Sequence, residues 1–212
     1  MDIRTGMDGH SAITRGRKFE QVRDGASAVF MREGYAAASV DEIARAANVS
    51  KATLYSYFPD KRLMFQEVLR AALDQGFREA VFRADHAAAP AKALPGVLTT
   101  LAGWLVSEPQ LSLHRIVVAE ATRFPEIAAA YAEAVQDHVI RPMAELIDGW
   151  IAQSKIMPHD TDQSAHQLMA LISGQLLPCA LLSERVPDDV RIAQVGTSTA
   201  ILFLNAYAKQ VA

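Results

Sequence analysis

The chain is poor in the features that mark secreted, membrane-embedded or metal-built proteins. It has one cysteine, Cys179, in 212 residues. An intrachain disulfide framework is impossible, and Cys179 reads as a small buried hydrophobe. Apolar stretches are broken by polar residues or proline before about 18 residues, which argues against a membrane span. The leader "MDIRTGMDGHSAITRGRK" has no apolar core, so no secretory signal is visible and a cytoplasmic location is the default. The six histidines are His10, His86, His114, His138, His159 and His166. None forms a His-Glu-x-x-His pair or another tight metal spacing. There is no Gly-x-Ser-x-Gly, no phosphate-binding glycine loop and no Cys–His dyad in sequence. The nearest polar cluster, "HDTDQSAH" at 159–166, joins a loop to a helix start, where Asp160 and Asp162 serve as caps better than as ligands. No cofactor or metal is expected. An all-helical enzyme whose residues pair across helices, and a helical dimerisation module, remain the alternatives.

The composition is otherwise globular: 50% hydrophobic and 21% charged. Charge is unevenly placed within the net −3. Residues 1–62 carry 10 Lys+Arg against 8 Asp+Glu, and the other 150 carry 11 against 16. The first third is the part more compatible with a polyanion.

The pattern is helical throughout. Phe19, Val22, Ala26, Val29 and Phe30 recur at the helical period, and Gly34 ends that run. Ser39 opens a second helix, with Glu42 three residues on as a capping box. Its apolar face is Val40, Ile43, Ala44 and Ala47. Asn48 suits a left-handed turn. Ser50 caps a third helix, in which Leu54 and Phe58 form a buried i,i+4 pair. Pro59 disfavours helix at Phe58, and Asp60 caps the next one. Long amphipathic segments follow over roughly 61–86, 91–107, 109–123, 125–154, 163–183 and 188–209, with a proline at each break. "RIVVAEA" has a β-branched centre but lies inside a helical period.

The stretch "SKATLYSYFPDK", 50–61, packs three aromatics, two lysines and several hydroxyls together. A core helix would not carry those hydroxyls, nor a plain surface helix those rings. The second and third helices, joined by about three residues, make a helix-turn-helix, whose second helix enters the DNA major groove. Leu54 and Phe58 anchor it. Lys51 and Thr53 are free to reach base edges, while Tyr55, Ser56, Tyr57 and Lys61 reach phosphates; Ser39 and Ser50 serve as caps that a phosphate can also share. Arg15, Arg17 and Lys18 form a candidate arm along the backbone.

Residues 39–65, "SVDEIARAANVSKATLYSYFPDKRLMF", closely resemble the DNA-binding signature of the TetR family of transcriptional regulators. The matching positions include Ile43-Ala44, Ala47, Val49-Ser50, Leu54-Tyr55, Tyr57-Phe58, Lys61 and Leu63. Asn48 departs from a position where the family often has glycine, but tolerates the same backbone. The resemblance implies an all-α protein: a three-helix head at residues 1–60, and a helical ligand-binding and dimerisation domain at 61–212 led by the helix from Lys61. It also implies a homodimer on an inverted-repeat, double-stranded operator, most often a repressor, released by a small ligand. The consecutive apolar residues Ile201, Leu202, Phe203 and Leu204 point in four directions, and Ser173-Gly174 permits close helix approach, so the last two helices are the expected dimer interface, the alternative being a helix simply central to one monomer. The implied pocket lies among the middle helices. Its candidate lining is Trp104, His114, Phe124, Met143, Trp150, Met169 and Gln175, suited to an apolar or aromatic ligand.

Overall fold

A computed structural model of the chain describes residues 16–78, 82, 87–182 and 186–208. Arg15, His10 and His86 lie outside the described residues. Among those described there is no strand; Ile156 and Ala208 make one isolated bridge. The chain divides into two compact units, Met1–Leu69 and Arg70–Ala212.

The first unit holds α1 (Arg17–Ala37), α2 (Val40–Ala46), α3 (Lys51–Tyr57) and the start of α4 (Lys61–Arg78). Phe19, Val22, Ala26, Val29 and Phe30 of α1 are buried, as are Ile43, Ala44, Leu54, Phe58 and Phe65. Gly34 takes φ 75°, so the helical path breaks there before a last turn to Ala37. Ser39 caps α2, its Oγ accepting from Glu42 N at 3.1 Å. The Glu42 carboxylate takes the Arg32 guanidinium at 2.7 Å. The turn after α2 is a Schellman motif: Asn48 has φ 49°, Asn48 N donates to Arg45 O and Val49 N to Ala44 O, both at 3.0 Å. Asn tolerates this left-handed backbone, as glycine would. Ser50 caps α3 by accepting from Thr53 N at 3.0 Å. Asp60 Oδ1 accepts from Leu63 N at 2.8 Å, opening α4.

The second unit holds the end of α4, then α5 (Pro90–Leu105), α6 (Glu108–Glu120), α7 (Pro125–Val135), α8 (Arg141–Ala152), α9 (Thr161–Leu182) and α10 (Asp189–Tyr207). Prolines stand in the first turns of α5, α6 and α7, where a missing N–H costs nothing. Helices α5 and α10 cross most tightly: a Cβ on Gly196 would lie 2.5 Å from the Thr99 hydroxyl oxygen. Leu94, Leu98, Leu101, Ile147, Trp150, Ile172 and Ala200 fill the core.

Three expectations need correction. The segment 125–154 is not one uniform helix. Gln136–Ile140 is a π-helical turn, in which Arg141 N donates to Gln136 O. Pro142 has no N–H for a bond to His138 O, and its ring crowds that carbonyl, so the turn before it widens. Cys179 is exposed, not buried; it shares an outward stripe of α9 with Leu171, Gln175 and Leu182. Lastly, by length and composition alone the 22-residue α9 is long and apolar enough to cross a membrane, and 28% of its most apolar window is buried. Its charge is confined to the first turn, and the Ser and Gln that interrupt it are uncharged. The described part of the expected helix over 61–86 ends at Arg78.

Candidate nucleic-acid interface and ligand cleft

In the first unit, α3 has two distinct faces. Leu54 and Phe58 are buried. Phe58 packs on Phe19 with ring centroids 5.3 Å apart, and Tyr57 meets Phe19 edge-on at 6.1 Å. Lys51, Ala52, Tyr55 and Ser56 are exposed on the opposite side, at the i, i+1, i+4, i+5 spacing of one helix face. Tyr55 is 47% exposed, unusual for a ring with nothing to cover it. Helix α1 also packs against the turn between α2 and α3. Gln21 Nε2 donates to Ala47 O at 2.7 Å, and a Cβ on Gly25 would come within 2.5 Å of the Ala47 backbone.

Each sequence-predicted DNA residue has a definite place. Ser39 and Ser50 spend one lone pair on their caps, leaving room for a further bond. Thr53 is half-buried, and its hydroxyl shares a 2.9 Å bond with Ser50 Oγ. Ser56 Oγ donates to Thr53 O at 2.6 Å. Tyr57 is half-buried, so its ring braces α3. Lys51, expected free, holds the Asp41 carboxylate at 2.6 Å, which keeps its ammonium above the ordinary lysine range. The sequence gives no hint of this, because the pair forms across the turn. Lys61 lies 4.7 Å above the Tyr35 ring and donates to Ala36 O at 3.4 Å. Tyr35 in turn packs edge-on against Phe65 at 5.1 Å.

In the second unit, a cleft of about 410 Å³ is lined by Arg70, Leu73, Asp74, Phe77 and Arg78 of α4, Ala130 and Ala134 of α7, and His138 of the π turn. Phe77 is its aromatic floor, with Trp104, Tyr131 and His138 rings at 5.4, 5.8 and 5.9 Å. Behind it, Gly76 O accepts from Trp104 Nε1 at 3.1 Å and Gln110 Nε2 at 2.8 Å. Gln110 is 4% exposed, and its Oε1 has no donor among the described residues. His114 Nδ1 lies 3.1 Å from Tyr131 Oη. Burial lowers the His114 pKa and raises that of Tyr131.

None of the seven sequence-predicted ligand residues lines this cleft. Trp104 and His114 stand in the ring cluster around Phe77 and Tyr131. Phe124, Met143 and Trp150 are closed into the core. The Trp150 indole N–H finds no acceptor among the described residues. Met169 is half-buried on α9, and the exposed Gln175 donates back to Leu171 O at 2.9 Å. The cleft residues missed in sequence carry a readable signal: Arg70, Asp74 and Arg78 recur at i, i+4, i+8 beside Leu73 and Phe77. In "HDTDQSAH", Asp160 caps α9 through Gln163 N at 3.0 Å, and Asp162 pairs with His166 at 3.4 Å.

Comparison with known proteins agrees with both units. Residues 22–68 match the family described as bacterial regulatory proteins, tetR family. Residues 92–209 match the AefR-like transcriptional repressor, C-terminal domain. No curated protein matches the sequence significantly. Among solved structures, the flavonoid-responsive regulator FrrA is 28% identical, covering 92% of this chain and 100% of its own, with TM-score 0.74. A TetR family transcriptional regulator from Pseudomonas syringae pv. tomato DC3000 is 25% identical over 92% of this chain and 100% of its own, with TM-score 0.70. A TetR transcriptional regulator from Agrobacterium tumefaciens shares the fold at 21% identity and TM-score 0.72, covering 92% of this chain and 96% of its own. With a helix-turn-helix head and a C-terminal domain that both match, the chain belongs to the TetR family of DNA-binding transcriptional regulators.

Proposed function

We propose that the protein is a ligand-responsive repressor that binds an inverted-repeat operator as a homodimer. The observation that carries this reading is the exposed face of α3, with Lys51, Tyr55 and Ser56 outward and Leu54 and Phe58 buried behind them. Lys51 and Thr53 take the base-reading role; Tyr55, Ser56, Tyr57, Lys61 and the cap hydroxyls of Ser39 and Ser50 take phosphate roles. Because double-stranded operator DNA is the target, the proposed location is cytoplasmic.

Dimerisation has its support in α9 and α10. Leu171 and Leu182 of α9 are 40% and 88% exposed, and Val190, Ile201 and Leu202 of α10 are 65%, 51% and 56% exposed. Apolar side chains in such numbers on two helices mark an association surface, and a second copy supplies a self-complementary one. The same partner accounts for the apolar outer face of α9 without a membrane. The repressor role follows the description of the matched C-terminal family, and a small-molecule response follows the flavonoid-responsive FrrA. Helix α4, which contributes to both units, is the proposed lever.

Linkage tests the reading. DNA fragments selected by the protein supply the operator, and a small molecule that binds is titrated with and without it. Reciprocal weakening by one factor is expected. Equal ligand affinity in both titrations contradicts ligand control, and failure to select any DNA contradicts the operator.

A further inference from the structure

The cleft at the end of α4 differs from a plain apolar pocket. Leu73, Phe77, Ala130 and Ala134 make its apolar part, and Arg70, Asp74, Arg78 and His138 its polar part. Phe77 and Leu73 are 1% and 5% exposed, so the floor is fixed by packing. Arg70, Asp74 and Arg78 are exposed, and among the described residues none of the three has an ion-pair or hydrogen-bond partner. The two guanidiniums stand at the ends of the stripe, with Asp74 between them. A volume of about 410 Å³ suits a small molecule.

We infer that this cleft takes a small organic anion: an apolar body against Ala130 and Ala134 above the buried Phe77, with a carboxylate, sulfonate or similar group on Arg70 or Arg78. Guanidinium is always charged and meets such groups bidentately. Asp74, midway along the stripe, repels the anionic end from the centre and accepts a hydroxyl of the ligand body. His138 closes the side contributed by the π turn. The inference deepens the ligand-responsive reading above, and rests on it for its biological meaning. It changes the expected ligand from merely apolar to apolar and anionic.

The probes are two fluorescent naphthalenes, 8-anilino-1-naphthalenesulfonate, an anion, and N-phenyl-1-naphthylamine, its neutral counterpart. The full-length protein is titrated with each. The anion should bind once per protomer. The double variant Arg70→Gln, Arg78→Gln should weaken the anion about tenfold or more and the neutral probe by less than about twofold. Ala134→Trp, which fills the cleft, should abolish both. Unchanged anion affinity in the double variant overturns the inference. So does an equal loss of both probes in that variant, or undiminished anion binding to Ala134→Trp. The two arginines are exposed, so the double variant should fold, and its thermal unfolding is recorded alongside. Operator selection by the wild type is scored separately: its failure would sink the regulator reading, while the titrations still decide the cleft.

Discussion

Lys51 and Asp41 are joined by a 2.6 Å ion pair that links the first residue of α3 to the first turn of α2. The ammonium assigned to base reading is thus held, in the absence of DNA, by a carboxylate beside the recognition face. To reach DNA it must exchange that carboxylate for a base edge or phosphate. Asp41→Asn should therefore tighten operator binding, since it removes both the competitor and a negative charge facing phosphates. Lys51→Ala should weaken operator binding about tenfold and relax sequence preference. Anisotropy titrations on specific and scrambled DNA measure both. Weaker operator binding by Asp41→Asn would show that Asp41 orients Lys51 and does not compete for it.

Lys61 should behave differently. Its ammonium sits on the Tyr35 ring, beside Ala36 O, a place suited to a phosphate contact from the flank. Lys61→Ala should weaken specific and nonspecific DNA alike, and lower the slope of log affinity against log salt by about 1. An unchanged slope would remove Lys61 from the phosphate contacts.

The seat of the reading element is steric. A Cβ at Gly25 would stand 2.5 Å from Ala47 Cα and N, which are backbone atoms and cannot swing aside. Gly25→Ala should cost about 1–3 kcal/mol of stability in the first unit through overpacking, with loss of DNA binding. Gly96→Ala is the control. It lies inside α5 with nothing within 4 Å of the new methyl, and should stabilise by roughly 0.5–1 kcal/mol. Urea unfolding followed by circular dichroism separates the two. A Gly25→Ala protein as stable as wild type would mean that α1 and α2 need not approach so closely.

The proposed dimer makes a hydrodynamic prediction. Wild type at micromolar concentration should sediment near twice 23.1 kDa. Leu202→Glu should give a folded monomer, because Leu202 is 56% exposed in one protomer and supports no core. A wild-type monomer, or a dimeric Leu202→Glu, would move the interface away from α10.

His114 gives the acid side of the stability profile. Its burial lowers its pKa below the ordinary 6.5. Between that lowered value and about 6.5 the unfolded chain binds a proton that the folded chain does not. Stability should thus fall as the pH drops below about 6.5, and this contribution should level off below the folded pKa. Substituting His114→Gln should flatten that part of the profile. An identical slope in both proteins would assign the acid sensitivity to other groups.

The head was legible because its determinants are local. Ser39, Asn48, Ser50 and Asp60 each act on backbone within a few residues, so spacing alone predicts their bonds. The Lys51–Asp41 pair was not, because ten residues and a turn separate the partners, and only the folded turn brings them together. The second unit was legible as helices but not as a cleft. Trp150 and Met143 were singled out for their size, but how deep each lies is set by packing of helices distant in sequence, and both are buried. The cleft is built from α4 residues not singled out in the sequence, and from a π turn that the Pro142 N–H deficit explains only once the helix around it is seen.

Every assignment on the head depends on α3 reading DNA. Sequencing the fragments that full-length protein captures from a random-sequence duplex pool decides it. An enriched inverted repeat with half-sites about one helical turn apart, or a near multiple, is expected, together with loss of that enrichment in a Lys51→Ala, Tyr55→Ala double variant. A pool that stays random, or an enriched motif that the double variant selects equally well, would contradict it.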